Sequence, residues 1–175
     1  MFVISRTSQF LRGALLSFGP RSFRRWVWDK EYREEKWRFA YDTTGDCVYP
    51  HLENYARGGR ILDLGSGSGN TSTEMADSAY QSYVGVDISE AALEKARARS
   101  AAAGRQSKNT FVCSDFFSFQ PTGEFDVILL RESIYHVPLG KIKAILDKNS
   151  RYLKPEGVII VRLFTANRQT GKSKH

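Results

Sequence analysis

The sequence has no long hydrophobic run. No stretch approaches the ~18–20 uninterrupted apolar residues that a membrane-spanning helix needs, so no membrane span is expected. Cysteine is scarce: Cys47 and Cys113 stand far apart, with no CxxC pair and no cluster at metal-ligand spacing. That pattern predicts two free thiols in a reducing compartment and no metal site. Acidic residues are missing from both ends: residues 1–28 hold five arginines and no acid, and residues 162–175 hold four basic residues and no acid. The net charge of +7 therefore belongs to the ends, because residues 29–161 carry 17 basic side chains against 19 acidic ones. A body so near neutrality lacks the basic face that tracks phosphates, and no nucleic-acid partner is expected. The first 28 residues also lack the long apolar stretch and cleavage site of a secretory signal. Their arginine- and serine-bearing character leaves two readings open, a cytoplasmic protein or one sent to an organelle by a transit segment.

What is present suits one domain. The 175 residues, 41% of them hydrophobic, are enough for a single core. Residues 26–40, WVWDKEYREEKWRFA, are too aromatic for a disordered tail, and Trp28, Tyr32 and Phe39 can share a helix face. The aromatics at 26, 28, 32 and 37 are read as core. Asp46 to Tyr55 reads as a second helix closed by Gly58-Gly59. Five short apolar runs follow as strands: Arg60–Leu64, Tyr83–Asp87, Thr110–Cys113, Phe125–Leu130, and Val158–Val161 with an extension towards Phe164. Helical patterns lie between most of them, at Asn70–Ala79, after Ser89 as a cap, and at 139–153 with Leu139, Ile142, Ile145, Leu146 and Leu153 in the stripe. Strands apolar almost throughout, alternating with helices, predict an α/β fold with a doubly wound, mainly parallel sheet covered on both faces. The organisation is then a helical lead-in over 1–58, the sheet domain over 59–164, and a polar tail over 165–175.

The chemistry is concentrated at strand ends. DLGSGSGN, Asp63 to Asn70, places a glycine at every second position directly after the first strand. By itself such a turn suits a phosphate, a nucleoside or a plain bend. No P-loop lysine follows, which argues against a Walker-type site. The G-x-G-x-G spacing also departs from the G-x-G-x-x-G of dinucleotide folds. Asp87 ends the second strand, 22 residues beyond Gly65, near the ~20-residue offset at which a carboxylate accepts both hydroxyls of a ribose. Asp115, with Phe116 beside it, follows the third strand. Bare backbone and carboxylates at adjacent strand ends suit a nucleoside better than a phosphate.

The ordered segments ILDLGSGSGNTS, VGVDISEAALEKAR, CSDFF, FDVILLRESIYHVP and LKPEGVIIV resemble the class I S-adenosylmethionine-dependent methyltransferases over about residues 60–164. The DKEYREEKW stretch is similar to the lead-in of many small-molecule members. The resemblance implies a Rossmann-like methyltransferase fold, S-adenosyl-L-methionine as cofactor and a small-molecule acceptor. It implies that Asp63, Gly65, Ser66 and Gly67 meet the methionine end. Asp87 would hold the ribose hydroxyls with Ile88 against the adenine, and Asp115 would accept from the adenine amine with Phe116 beside the ring. Arg131 would stand near the methionine moiety or the acceptor entrance, and Tyr32 would close over the cofactor.

Methyl transfer from a sulfonium needs alignment and dryness more than a covalent intermediate. A base is required only for an acceptor that arrives protonated. Glu132, Tyr135 and His136 are the candidates, and histidine has the most suitable ordinary pKa, about 6.5. His136 also reads simply as a loop histidine fixed by a backbone hydrogen bond, Glu132 as a pairing residue and Tyr135 as an aromatic wall. The family fold continues past the fifth strand with a helix and an antiparallel strand pair, whereas 11 residues follow Phe164. An uncovered sheet edge would invite self-association. The alternative expectation is an inactive cofactor-binding module acting through a partner.

Overall fold

The structure is a computed structural model that describes residues 16, 19–38, 41 and 43–163. Most of the acid-free N-terminal segment, Phe39 and the polar tail beyond Leu163 lie outside the described residues. Helix α1 (Arg21–Arg33) leads into α2 (Val48–Ala56), which is followed by β1 (Arg60–Leu64), the short α3 (Asn70–Glu74), β2 (Ser82–Asp87) and α4 (Glu90–Ala102). The chain continues through β3 (Asn109–Cys113), β4 (Phe125–Arg131), α5 (Leu139–Ser150) and β5 (Leu153–Arg162). The five strands form one parallel sheet in the order β3-β2-β1-β4-β5. That order reverses between β1 and β4, where an open α/β sheet leaves a crevice beyond its carboxyl ends.

Side-chain alternation along the strands divides the interior into two cores. Ile61, Val127 and Leu129 project to one face and pack with Val48, Leu52 and Ala56 of α2. Leu62, Leu64, Ile128 and Leu130 project to the other, where Ile142 and Leu146 of α5 cover them. The central strands β1 and β4 are thereby apolar on both sides, which is why the sequence shows runs and not alternation there. Ser89 caps α4 through its hydroxyl, which accepts from the Ala92 N–H at 3.2 Å. Leu93, Ala96 and Ser100 are all buried, as their spacing predicts.

Four expectations need correction. The helix after the glycines ends at Glu74, with a 3-10 turn at Asp77–Ala79. Ser72 and Thr73 turn their hydroxyls back onto the carbonyls of Gly69 and Asn70, the local bonding that makes such residues poor helix formers. Strand β5 begins five residues early, at Leu153, and takes in Lys154-Pro155-Glu156-Gly157. Its pairing steps from Phe125↔Leu153 to Val127↔Val158, a bulge in which Pro155 has no ladder N–H to lose. Leu139, read as part of the buried stripe of α5, is 87% exposed. The aromatics at 26, 28, 32 and 37 are not core: Trp26 is 57% exposed, and the other three line a cavity.

Candidate active site

The cavity, of about 820 Å³, opens at the carboxyl ends of the strands. Its floor is the glycine turn. Gly65, Gly67 and Gly69 have φ of 87°, 52° and 77°, so every second residue of the turn takes the left-handed conformation that glycine enters freely. Gly65 and Ser66 both donate their N–H to the Val86 carbonyl, at 2.7 and 3.0 Å, which folds the turn against β2. A side chain is excluded as well as disfavoured. A Cβ on Gly65 would lie 2.4 Å from the Ser133 Cβ, and one on Gly67 would lie 2.7 Å from the Tyr32 hydroxyl.

Asp87 joins the turn to the end of β2. One carboxylate oxygen accepts from the Gly67 N–H and the other from the Ser89 N–H, both at 2.9 Å. Burial dominates and pushes its pKa from 3.8 up to about 6, although both backbone donors oppose the shift. Asp63 is buried at the end of β1, where its Oδ2 accepts from the Tyr83 hydroxyl at 2.6 Å. Its pKa is raised, again by burial first, with the Tyr83 bond working the other way. Oδ1 of Asp63 and Oγ of Ser66 are buried without a hydrogen-bond partner. Such orphaned acceptors and donors cost free energy unless a ligand completes them. With the bare glycines between them, they form a cradle for a group that carries N–H or O–H donors.

Asp115 and Phe116 line the same cavity beyond β3. The Asp115 carboxylate accepts from the N–H groups of Phe117 and Ser118, at 2.9 and 3.0 Å, and pairs with Arg21 of α1 at 3.1 Å. Burial would raise its pKa, but the Ser118 and Phe117 hydrogen bonds and the Arg21 charge outweigh that and hold it below the ordinary value. Helix α1 thus roofs the cavity. It is fixed at one end by Arg21 and in the middle by Asp29, which accepts from the Ser89 hydroxyl at 2.8 Å and the Ala91 N–H at 3.1 Å. Tyr32, farther along α1, is pushed well above its usual pKa by burial, with the Asp87 charge adding to the effect.

The wall beyond β4 is a charged network. Arg131 donates to the Tyr49 hydroxyl at 2.7 Å, and Asp46 lies 3.9 Å from Arg131 and 3.3 Å from Arg162. Arg162 also pairs with Glu132, so the loop at 43–47 is tied to the ends of β4 and β5. Burial works against the Arg131 charge, but Tyr49, Asp63 and Asp46 together raise its pKa. Glu132 has φ of 52°, the left-handed region for a residue with a long side chain, and such strain concentrates at functional sites. Tyr135 is 52% exposed, and its ring lies 4.5 Å from His136. The His136 ring stands edge-on to Trp28 at 4.7 Å, and its backbone N–H donates to the Ser133 carbonyl.

All thirteen residues singled out in the sequence, from Tyr32 to His136 and including Ile88, line this one cavity. The sequence reading missed Arg24, Asp46 and Trp37. Asp46 reads as the start of a helix, and nothing local distinguishes it. Arg24 had a signal, since it lies four and eight residues before Trp28 and Tyr32, on adjoining turns of α1.

Comparison with known proteins agrees with this geometry. Residues 61–157 match the family model described as a methyltransferase domain. The ubiquinone biosynthesis O-methyltransferase of Idiomarina loihiensis is 34% identical over 119 residues, covering 66% of this chain and 48% of that protein. Thiocyanate methyltransferase 1 of Brassica oleracea is 34% identical over 106 residues, covering 61% of this chain and 46% of its own. Among solved structures, a Thiobacillus denitrificans S-adenosylmethionine-dependent methyltransferase in complex with S-adenosyl-L-homocysteine shares the fold, with a TM-score of 0.56 at 24% identity, over 69% of this chain and 49% of that one. The chain spans about half the length of the curated relatives it matches. Motif order, sheet topology and family match agree: this chain belongs to the class I S-adenosylmethionine-dependent methyltransferases, with S-adenosyl-L-methionine as the cofactor.

Proposed function

We propose that the protein transfers a methyl group to a small-molecule acceptor by in-line displacement. The observation that carries this reading is the glycine cradle with its two unpartnered buried atoms, Asp63 Oδ1 and Ser66 Oγ, beside the Asp87 carboxylate. In this reading Asp63, Ser66 and the backbone of Gly65 and Gly67 hold the amino-acid end of S-adenosylmethionine. Asp87 accepts from the ribose hydroxyls, and Ile88 and Phe116 flank the adenine. Asp115 meets the adenine amine with whatever acceptor capacity its turn and Arg21 leave. S-adenosylmethionine supplies a methyl carbon on a sulfonium, electrophilic without further activation. The protein contributes alignment and exclusion of water, with Tyr32 and α1 as the roof.

Glu132 is engaged by Arg162, so its role is to hold the acceptor wall. Tyr135 and His136 stand at the cavity edge with Trp28, and in this reading His136 takes the proton from a hydroxyl acceptor. Of the two locations left open by the N-terminal segment, we propose the cytoplasm. No helix among the described residues is long and apolar enough to cross a membrane. Calorimetry with S-adenosylmethionine, S-adenosylhomocysteine and NAD tests the assignment. Micromolar binding of the first two and none of NAD is expected; binding of NAD alone would overturn it.

A further inference from the structure

Three arginines stand in the first five residues of α1, and their surroundings differ. Arg21 pairs with Asp115, and Arg25 lies 3.6 Å from Asp29. Arg24 lines the cavity, and its Nε is buried without a hydrogen-bond partner. Among the described residues Arg24 has no ion pair. The other guanidiniums facing the cavity, Arg131 and Arg162, are both neutralised by Asp46, and Arg162 by Glu132 as well. Arg24 is therefore a cation set into the cavity wall with no counter-charge among the described residues. Burying part of a guanidinium unpaired is costly unless an anion arrives.

The neighbours of Arg24 describe what else the anion belongs to. Trp28 follows it by four residues on the same side of α1, and the rings of Trp37 and His136 lie 5.4 and 4.7 Å from Trp28. Tyr135 continues the aromatic wall next to His136. Asp29, on the opposite side of the helix, faces α4. The amino-acid end of the cofactor, placed above at Gly65–Gly67, is met by Tyr32, eight residues farther along α1. At 1.5 Å per residue that is about 12 Å of helix between the two Cα atoms, so Arg24 enters the cavity wall about two turns before the residue set over the cofactor's amino-acid end.

We propose that Arg24 binds the carboxylate of the methyl acceptor, an aromatic acid whose flat body lies against Trp28, Tyr135 and His136. The assignment to an acceptor rests on the methyltransferase reading, whereas the anion subsite rests on Arg24 alone. A guanidinium fork matches a carboxylate with two parallel N–H···O bonds, and a planar ring matches the aromatic wall.

The test uses 2-naphthoate and its neutral analogue 2-naphthamide as probes of the full chain, each titrated with and without S-adenosylhomocysteine. Naphthoate should bind at least about tenfold tighter than naphthamide, the range of a charge-assisted hydrogen bond. Arg24→Gln should bring that ratio to about one without changing S-adenosylhomocysteine affinity, and Arg24→Lys should restore part of it. Circular dichroism checks that the variants remain folded, which is expected because Arg24 has no ion pair to lose among the described residues. A wild-type ratio near one would overturn the proposal. So would an Arg24→Gln variant that loses S-adenosylhomocysteine but keeps 5′-methylthioadenosine, for Arg24 would then serve the cofactor's own carboxylate. If wild type fails to bind S-adenosylhomocysteine yet prefers naphthoate through Arg24, the methyl-donor reading falls and the anion subsite stands.

Discussion

Asp87 should give cofactor affinity and fold stability opposite pH dependences. Its carboxyl is raised from 3.8 to about 6, so the folded chain holds that proton more tightly than the unfolded chain does. Between those values the native state binds more protons, and stability falls as pH rises, by on the order of 3 kcal/mol in total for this group. Asp63, shifted in the same direction by burial, adds to the same slope. Ligand binding runs the other way. Ribose hydroxyls donate, so they require the ionised carboxylate, which already orders Gly67 and Ser89 by accepting their N–H groups. One proton and a pKa of about 6 predict S-adenosylhomocysteine affinity about tenfold weaker at pH 5 than at pH 7.5, with a plateau above pH 7. Calorimetry in two buffers of different ionisation enthalpy measures both the affinity and the proton released near pH 6. Asp87→Asn should abolish the step. It should also remove the Asp87 share of the fall in stability between about pH 4 and 6, leaving the part that belongs to Asp63. An affinity flat from pH 5 to 8, or one that falls as pH rises, would refute the assignment of Asp87.

The remaining predictions concern packing and thiols. Gly69→Ala should lower the unfolding free energy by about 1–3 kcal/mol, since φ is 77° and the new Cβ would meet the Ala96 Cβ at 2.7 Å. Gly140→Ala, with nothing within 4 Å, is the control in the first turn of α5 and should be neutral or stabilising in urea denaturation. Tyr83→Phe should cost about 1–3 kcal/mol by taking the hydroxyl from Asp63, whose other oxygen already lacks a partner. Titration with a thiol reagent on the native protein should show one fast cysteine, the exposed Cys47. Cys113, half-buried and with its pKa raised by burial, should react slowly. Equal rates would contradict the packing around β3.

The parts of this molecule legible in the sequence are those where one residue type has one physical use. Apolar runs mark four strands to within a residue, most sharply β1 and β4, because a strand buried on both faces admits little else. The alternate glycines marked the turn, since all three occupy left-handed φ. Local signals failed where tertiary structure overrides propensity. Pro155 reads as a break, yet an edge-strand bulge accommodates it. Trp28 and Trp37 read as core, yet they wall a cavity, because apolar aromatic surface looks alike in both settings. Asp46 had no signal at all: its meaning lies in Arg131 and Arg162, at the ends of strands far away in sequence.

The most direct test of the central claim is a crystal structure with S-adenosylhomocysteine. The ribose hydroxyls should lie on Asp87, the adenine against Ile88 and Phe116, and the amino-acid end over Gly65–Gly67 within reach of Asp63 Oδ1 and Ser66 Oγ. A ligand bound elsewhere, or a ribose turned away from Asp87 with those two atoms still unpartnered, would contradict it.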